Sequence, residues 1–323
     1  MKFVVGVLCL AGVVCAERFD PARVRAEARW VAHVDVEALA KSDVYAALVA
    51  DGVVSVQEEV ELVQELGLDP VKDLRGVTVY GVEEKGEHTV VVLDGEENLE
   101  RALEKKKGET GYREEVLDGK ALHAWGDDCF AAVLRREGSA RRLVVQSDDR
   151  DAVSRACAVI EGRGASLAGS EKLRALPAEG SIVWAASTTR LAELDGLQVA
   201  SNVVKLAEDV VFDLGESHGE LFATLRVDAE RAQEARQIQQ VLQGAVALVG
   251  LVGGDDPELG RALQDLTGAL RFTTEDTQVR AEFRMSTRLL LEHLRTLDLG
   301  TSSGDRPNSN GFERVAPEKR ARK

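Results

Sequence analysis

A strand–turn–strand–helix pattern repeats along this chain, and it limits the possible folds more than any other feature. VTVYGVEEKGEHTVVVLDGEENLERAL (77–103) and VVFDLGESHGELFATLRVDAERAQEARQI (210–238) each run from a short apolar strand through a polar Gly-Glu turn into a second strand and a helix. CFAAVLRREGSARRLVVQSDDRDAVSRACAVI (129–160) and LRFTTEDTQVRAEFRMSTRLLLEHL (270–294) are weaker copies. Repeats fix architecture, because one unit cannot cover its own apolar face. Within the last copy Val279, Ala281 and Phe283 alternate with Arg280, Glu282 and Arg284, the period of a half-buried antiparallel strand. Asp94 and Glu97 have capping-box spacing, Asp228 takes the equivalent place, and Ser147 or Asp148, and Ser286, are expected to cap the later helices.

Each half opens alike, with a strand leading into a helix at ARWVAHVDVEALAKS (28–42) and GSIVWAASTTRLAEL (180–194). A hairpin is expected at 112–125, where Asp118-Gly119 is a strong two-residue turn signal. A long helix follows from about Ala229 to Val252, and Asp256-Pro257 starts another. The fold class is therefore α+β: two tandem modules of ββα units, with antiparallel sheets and helices packed on one face. About 300 residues exceeds most single cores. The small-residue stretch GRGASLAGS (162–170) marks the boundary between a first module (17–164) and a second (165–298). Residues 299–323 are Gly-, Ser-, Asn- and Pro-rich without periodicity and read as a disordered tail.

Residues 1–16 read as a signal peptide. Lys2 supplies the charge, Phe3 to Cys15 the apolar run, and Val14 and Ala16 the small side chains before a cut between Ala16 and Glu17. The run is too short to span a membrane. Neither Cys9 nor Cys15 carries the small-residue pattern of a lipid anchor. The chain is thus expected to be exported, to periplasm or medium, with no stable membrane span after cleavage. Cleavage leaves 40 basic against 56 acidic residues, a balance that repels nucleic acid. It also leaves two cysteines, Cys129 and Cys157, which an oxidising compartment can bridge or leave as small buried side chains.

No motif supplies chemistry. His33, His88, His123, His218 and His293 are dispersed, and zinc spacings, calcium loops, P-loops and GxGxxG are absent. Ser166 in GASLA lacks the strand and the final glycine of a nucleophile elbow. Asp127 and Asp128 beside Cys129 oppose a reactive thiolate. No catalytic, cofactor or metal residue is assigned. With aromatics at 4%, Trp30, Trp125 and Trp184 read as core.

The stretches WVAHVDVEAL, GLDPVKDLRGVTVYG, LHAW, and DDPELGRAL ahead of LRFTTEDTQVRAEFR resemble a group of uncharacterised exported proteins typical of planctomycete-type bacteria, over most of residues 29–297. The resemblance implies an export signal and a two-part α+β fold, and brings no catalytic residue. The resulting expectation is a non-enzymatic binding or scaffolding protein whose partner is a macromolecule of the cell envelope. A hydrolase with a site assembled from distant residues, or a small-molecule or metal-binding module, are the alternatives.

Overall fold

The computed structural model describes residues 18–51, 68–82, 88–108, 110–126, 128–135, 139–170, 173, 175–190, 206–251 and 257–296. The expected signal peptide, its cut at Ala16 and Glu17, and the tail lie outside the described residues.

The chain is α+β, and among the described residues the strands join one antiparallel sheet of 12 strands. The first half supplies β1 (Trp30–Asp35), β2 (Leu74–Gly81), β3 (Thr89–Gly95), β4 (Arg113–Leu117), β5 (Lys120–Trp125), β6 (Cys129–Arg135) and β7 (Arg142–Ser147). The second supplies β8 (Ser181–Ser187), β9 (Ala207–Ser217), β10 (Glu220–Ala229), β11 (Leu270–Glu275) and β12 (Gln278–Ser286). The order is β11-β12-β10-β9-β8-β1-β2-β3-β7-β6-β5-β4. Each half is therefore an opening strand followed by hairpins, three in the first half and two in the second, and the opening strands β1 and β8 pair antiparallel, with Ala32 opposite Ala185 and Val34 opposite Val183. One sheet runs through both halves, where the sequence suggested two.

The helices are α1 (Val36–Lys41), α2 (Asp43–Ala50), α3 (Pro70–Asp73), α4 (Asn98–Lys106), α5 (Arg150–Ile160), α6 (Ala232–Leu251), α7 (Pro257–Gly268) and α8 (Thr287–Thr296). They do not share one face, which corrects the sequence reading. On the near face Val31, Tyr80, Val92, Leu122 and Val145 pack with Val153, Ala156 and Cys157 of α5, together with Val24 and Leu167. On the far face Val77 and Val144 pack with Val36 of α1, Tyr45 of α2, and Leu99 and Leu103 of α4. The first half is thus wrapped on both sides. Burying each such aliphatic side chain stabilises by about 1.5–3 kcal/mol.

In the second half Ala235 and Ile238 of α6 cover Val227 and Val279 on the far face. Helix α8 takes the same side. Thr287 donates to Glu216 Oε1 at 2.7 Å, and Val44 N at the start of α2 donates to Glu216 Oε2 at 3.3 Å. Arg295 of α8 pairs with Asp51 just past α2, Nε to Oδ2 2.8 Å. Its counterpart in the first half, α5, takes the near side. Asp148 and Asp149 separate β7 from α5, whereas α8 starts directly where β12 ends. Among the described residues, no helix covers the near face of β9, β10, β12 and β11.

Candidate functional site

A surface cavity of about 760 Å³ lies by the first half and is lined by Arg23, Glu100, Lys107, Glu114, His123 and Glu161, among others. Its charges neutralise one another. Arg23 reaches Asp94 at 2.5 Å, Lys107 holds Glu104 at 2.8 Å and Glu114 at 3.2 Å, and Lys120 holds Glu161 at 2.9 Å. Glu100 takes Arg135 and, at 2.9 Å, Arg142, and the Arg135 bond leads the effects that hold its carboxyl below the usual range. His123 Nδ1 meets the Tyr112 hydroxyl at 2.7 Å, and burial pushes the imidazole below its ordinary value. The charged groups that line it are thus largely engaged with one another.

A further cavity, about 380 Å³, stands on the open near face of the second half. Strand alternation builds its floor: Val211 and Asp213 from β9, Phe222, Thr224 and Arg226 from β10, and Gln278, Arg280 and Arg284 from β12. The connection through Ala175, Leu176, Ala178 and Glu179 forms one wall, and Trp184 of β8 lines the cavity too. Asp213 ties that wall to the sheet, accepting from Ala178 N at 2.8 Å and from Ser181 Oγ at 2.6 Å.

This cavity holds unused donors. Arg226 and Arg280 are directly opposite across β10 and β12, an arrangement that destabilises a sheet when uncompensated. Arg280 Nη2 pairs with Glu282 at 2.6 Å. Arg226 Nε stands 3.5 Å from Asp228 Oδ2, but neither Nε nor Nη2 has a hydrogen-bond acceptor. Trp184 is 1% exposed, and its Nε1–H also lacks an acceptor; the ring packs on Phe19, centroids 4.5 Å apart. A buried donor left unmade costs about 1–3 kcal/mol. Arg284 lies over the Phe222 ring at 5.6 Å.

The residues singled out from sequence are not brought together. Cys129 and Cys157 are free thiols. Cys129 accepts from Gln146 Nε2 at 3.2 Å on β6, while Cys157 sits in the near-face core on α5. The possible bridge between them has no support in this geometry. Burial pushes the Cys157 thiol up to about 11 and raises Cys129, so neither is a ready nucleophile. His33 Nδ1 meets Thr78 Oγ1 at 2.9 Å, and His293 pairs with Asp265 at 3.2 Å. Ser166 begins a short 3-10 turn and is no nucleophile elbow. Among the described residues no group of three or more His, Cys, Asp or Glu could hold a metal ion, and no helix is long and apolar enough to cross a membrane.

Sequence reasoning missed Arg226 and the donor role of Trp184. Arg226 reads as the solvent-facing member of an alternating strand, and only the β10–β12 register reveals Arg280 opposite it.

No protein-family model and no curated protein matches the chain. Among solved structures, crystal form III of TP0453 is similar at a TM-score of 0.47 and 9% identity, over 86% of this chain and 98% of that one. Crystal form I of TP0453 gives a TM-score of 0.43 and 10% identity, over 86% of this chain and 98% of that one.

Proposed function

We propose that this is an exported, non-enzymatic binding protein of the cell envelope that engages a macromolecular partner through the near face of its second half. One observation carries the reading: the second half turns all its described helices to the far side and leaves a cleft with unused buried donors on the other. A sheet face stripped of its helix layer is normally covered by something, and concave sites with a few convergent polar groups are where proteins take ligands. The signal-like first residues give the compartment, and the acidic balance argues against a nucleic-acid partner.

The test is site-specific photo-crosslinking in envelope extract. A crosslinker at Thr224 should capture a reproducible macromolecular adduct, and one at Arg155 on α5 should not. Equal capture from both positions, or none from Thr224, would remove the reading.

A further inference from the structure

We infer that β11, the edge strand of the second half, pairs antiparallel with β11 of a second molecule of this chain, about a two-fold axis at Thr273. The inference stands on the strand itself and does not depend on what the near face binds.

β11 closes one end of the sheet, and among the described residues no strand pairs with its outer side. Such an edge recruits a strand unless something blocks it. The two-residue turn Asp276-Thr277 sets Glu275 opposite Gln278, and Thr273 and Arg271 follow opposite Arg280 and Glu282. Pairs alternate along a hairpin, and a two-residue turn is closed by a hydrogen-bonded pair. Glu275, Thr273 and Arg271 therefore turn their main-chain groups to β12, while Phe272 and Thr274 turn theirs outward. A two-fold axis at Thr273 sets Phe272 against Thr274 of the second molecule, so the outward groups meet and hydrogen-bond in both directions. The strand is held in place before pairing, because Thr274 Oγ1 donates to Gln239 Oε1 of α6 at 2.9 Å on the far side.

The side chains choose the occupant. In that register Arg271 lies directly opposite Glu275 of the second molecule, Glu275 lies opposite its Arg271, and threonine meets threonine between them. Opposite charges and threonine pairs are favourable cross-strand neighbours. Arg271, Thr273 and Glu275 are exposed and share the near face with Arg280. Within its own molecule Arg271 faces Glu282, but Glu282 is held by Arg280 at 2.6 Å, and Glu275 faces the uncharged Gln278. Neither Arg271 nor Glu275 forms an ion pair among the described residues. The strand is thus its own complement. The opposite edge, β4, is not. Centring a self-pair on Glu114 or Glu115 sets glutamate against glutamate, and centring it on Val116 sets Glu114 against Asp118. Like charges directly opposite destabilise pairing, so of the two edges β11 invites a second molecule. The join carries the open near faces of both molecules into one surface.

The experiment is sedimentation velocity on the purified full chain over a roughly hundred-fold range of concentration, because a dimer forms by mass action. A short edge join gives a weak, concentration-dependent dimer. Arg271→Glu and Glu275→Arg each set like charges opposite at both ends of the join and should weaken self-association about ten-fold or more. Mixed in equal amounts, the two variants complement each other across the axis and should recover the dimer. Thr273→Cys should form a disulfide between molecules on mild oxidation, since opposed residues outside the hydrogen-bonded pairs lie about 4.5 Å apart at Cα, within reach of a disulfide. Val116→Cys on β4, open to collision at 76% exposure, should stay unlinked. Should Arg271→Glu disturb its own hairpin through Glu282, Glu275→Arg and the Thr273→Cys link carry the test alone.

A monomer at every concentration, a dimer unchanged by Glu275→Arg, no recovery in the mixture of folded variants, or equal linking from Val116→Cys overturns the inference. A Thr273→Cys link to a different protein in envelope extract, with the purified chain monomeric, assigns the edge to another partner and overturns it too. A monomer that still yields a Thr224 adduct sinks the dimer and leaves the binding-protein reading standing.

Discussion

Asp35 closes β1 and caps α1, accepting from Ala38 N at 2.8 Å, yet it is only 4% exposed. Burial pushes its carboxyl from 3.8 up to about 6; the cap bond from Ala38 pulls back only in part, and Glu37 adds to the rise. The folded state holds this proton more tightly than the unfolded chain does. Its contribution to stability is therefore full below about pH 4 and is lost as the pH rises through about 6. Asp35→Asn keeps an acceptor for Ala38 and removes the charge. Its urea midpoint should exceed that of the natural protein at about pH 8, by on the order of 1–3 kcal/mol, and approach it at about pH 4. Tyr80 offers a cleaner case. It is wholly buried, and its hydroxyl has no hydrogen-bond partner. Tyr80→Phe removes an unsatisfied polar atom and leaves the ring packing in place, so thermal denaturation should show a gain on the order of 1 kcal/mol.

Gly180 and Gly215 join two elements closely enough to shape the cleft. A Cβ on Gly215 would lie 2.2 Å from Gly180 O and 2.6 Å from the Phe222 ring. Gly180 has φ +79°, and a Cβ there would lie 2.3 Å from Glu216 O. Gly215→Ala must push the wall off the sheet. It should lower stability by about 1–3 kcal/mol, read from the urea midpoint. At this scale the sequence was legible where physics is local. Strand alternation and the turn residues located each hairpin, down to Asp118 and Gly119, both at positive φ. Ser286 does cap α8, accepting from Leu289 N at 3.3 Å. Capping failed where a residue had a distant partner. Asp94 is taken by Arg23, Glu97 makes no side-chain cap bond to α4, and Asp149, not Ser147 or Asp148, caps α5. The side of the sheet taken by each helix was not legible, because it depends on how the chain leaves the strand rather than on the helix's own periodicity.

For the whole molecule, the join between β1 and β8 matters most. Long-range strand pairing has no local signature, so the sequence showed two like halves but not that they share a sheet. The join buries main-chain groups of both opening strands and lets Trp184 enter the core that holds Val31 and Tyr80. A fragment of residues 17–164 would bare the β1 edge, and exposed edges recruit other strands. Expressed alone it should elute from a sizing column as aggregate or oligomer, and mixing it with residues 165–298 during refolding should recover a defined species. Recovery of a stable monomer from the fragment alone would show that the join is dispensable.

The uneven wrapping also divides the burden of sequence change. In the first half a near-face position such as Val92 or Val145 is hemmed in on every side, and a change of size there leaves a hole or a clash. On the second half's near face, Thr224 or Arg284 can be exchanged with little penalty to the fold. A saturation library selected only for folding should therefore tolerate substitutions along the outer strands of one copy and reject them in the other. Of two copies of one plan, the first is held to preserving shape while the second is free to diversify.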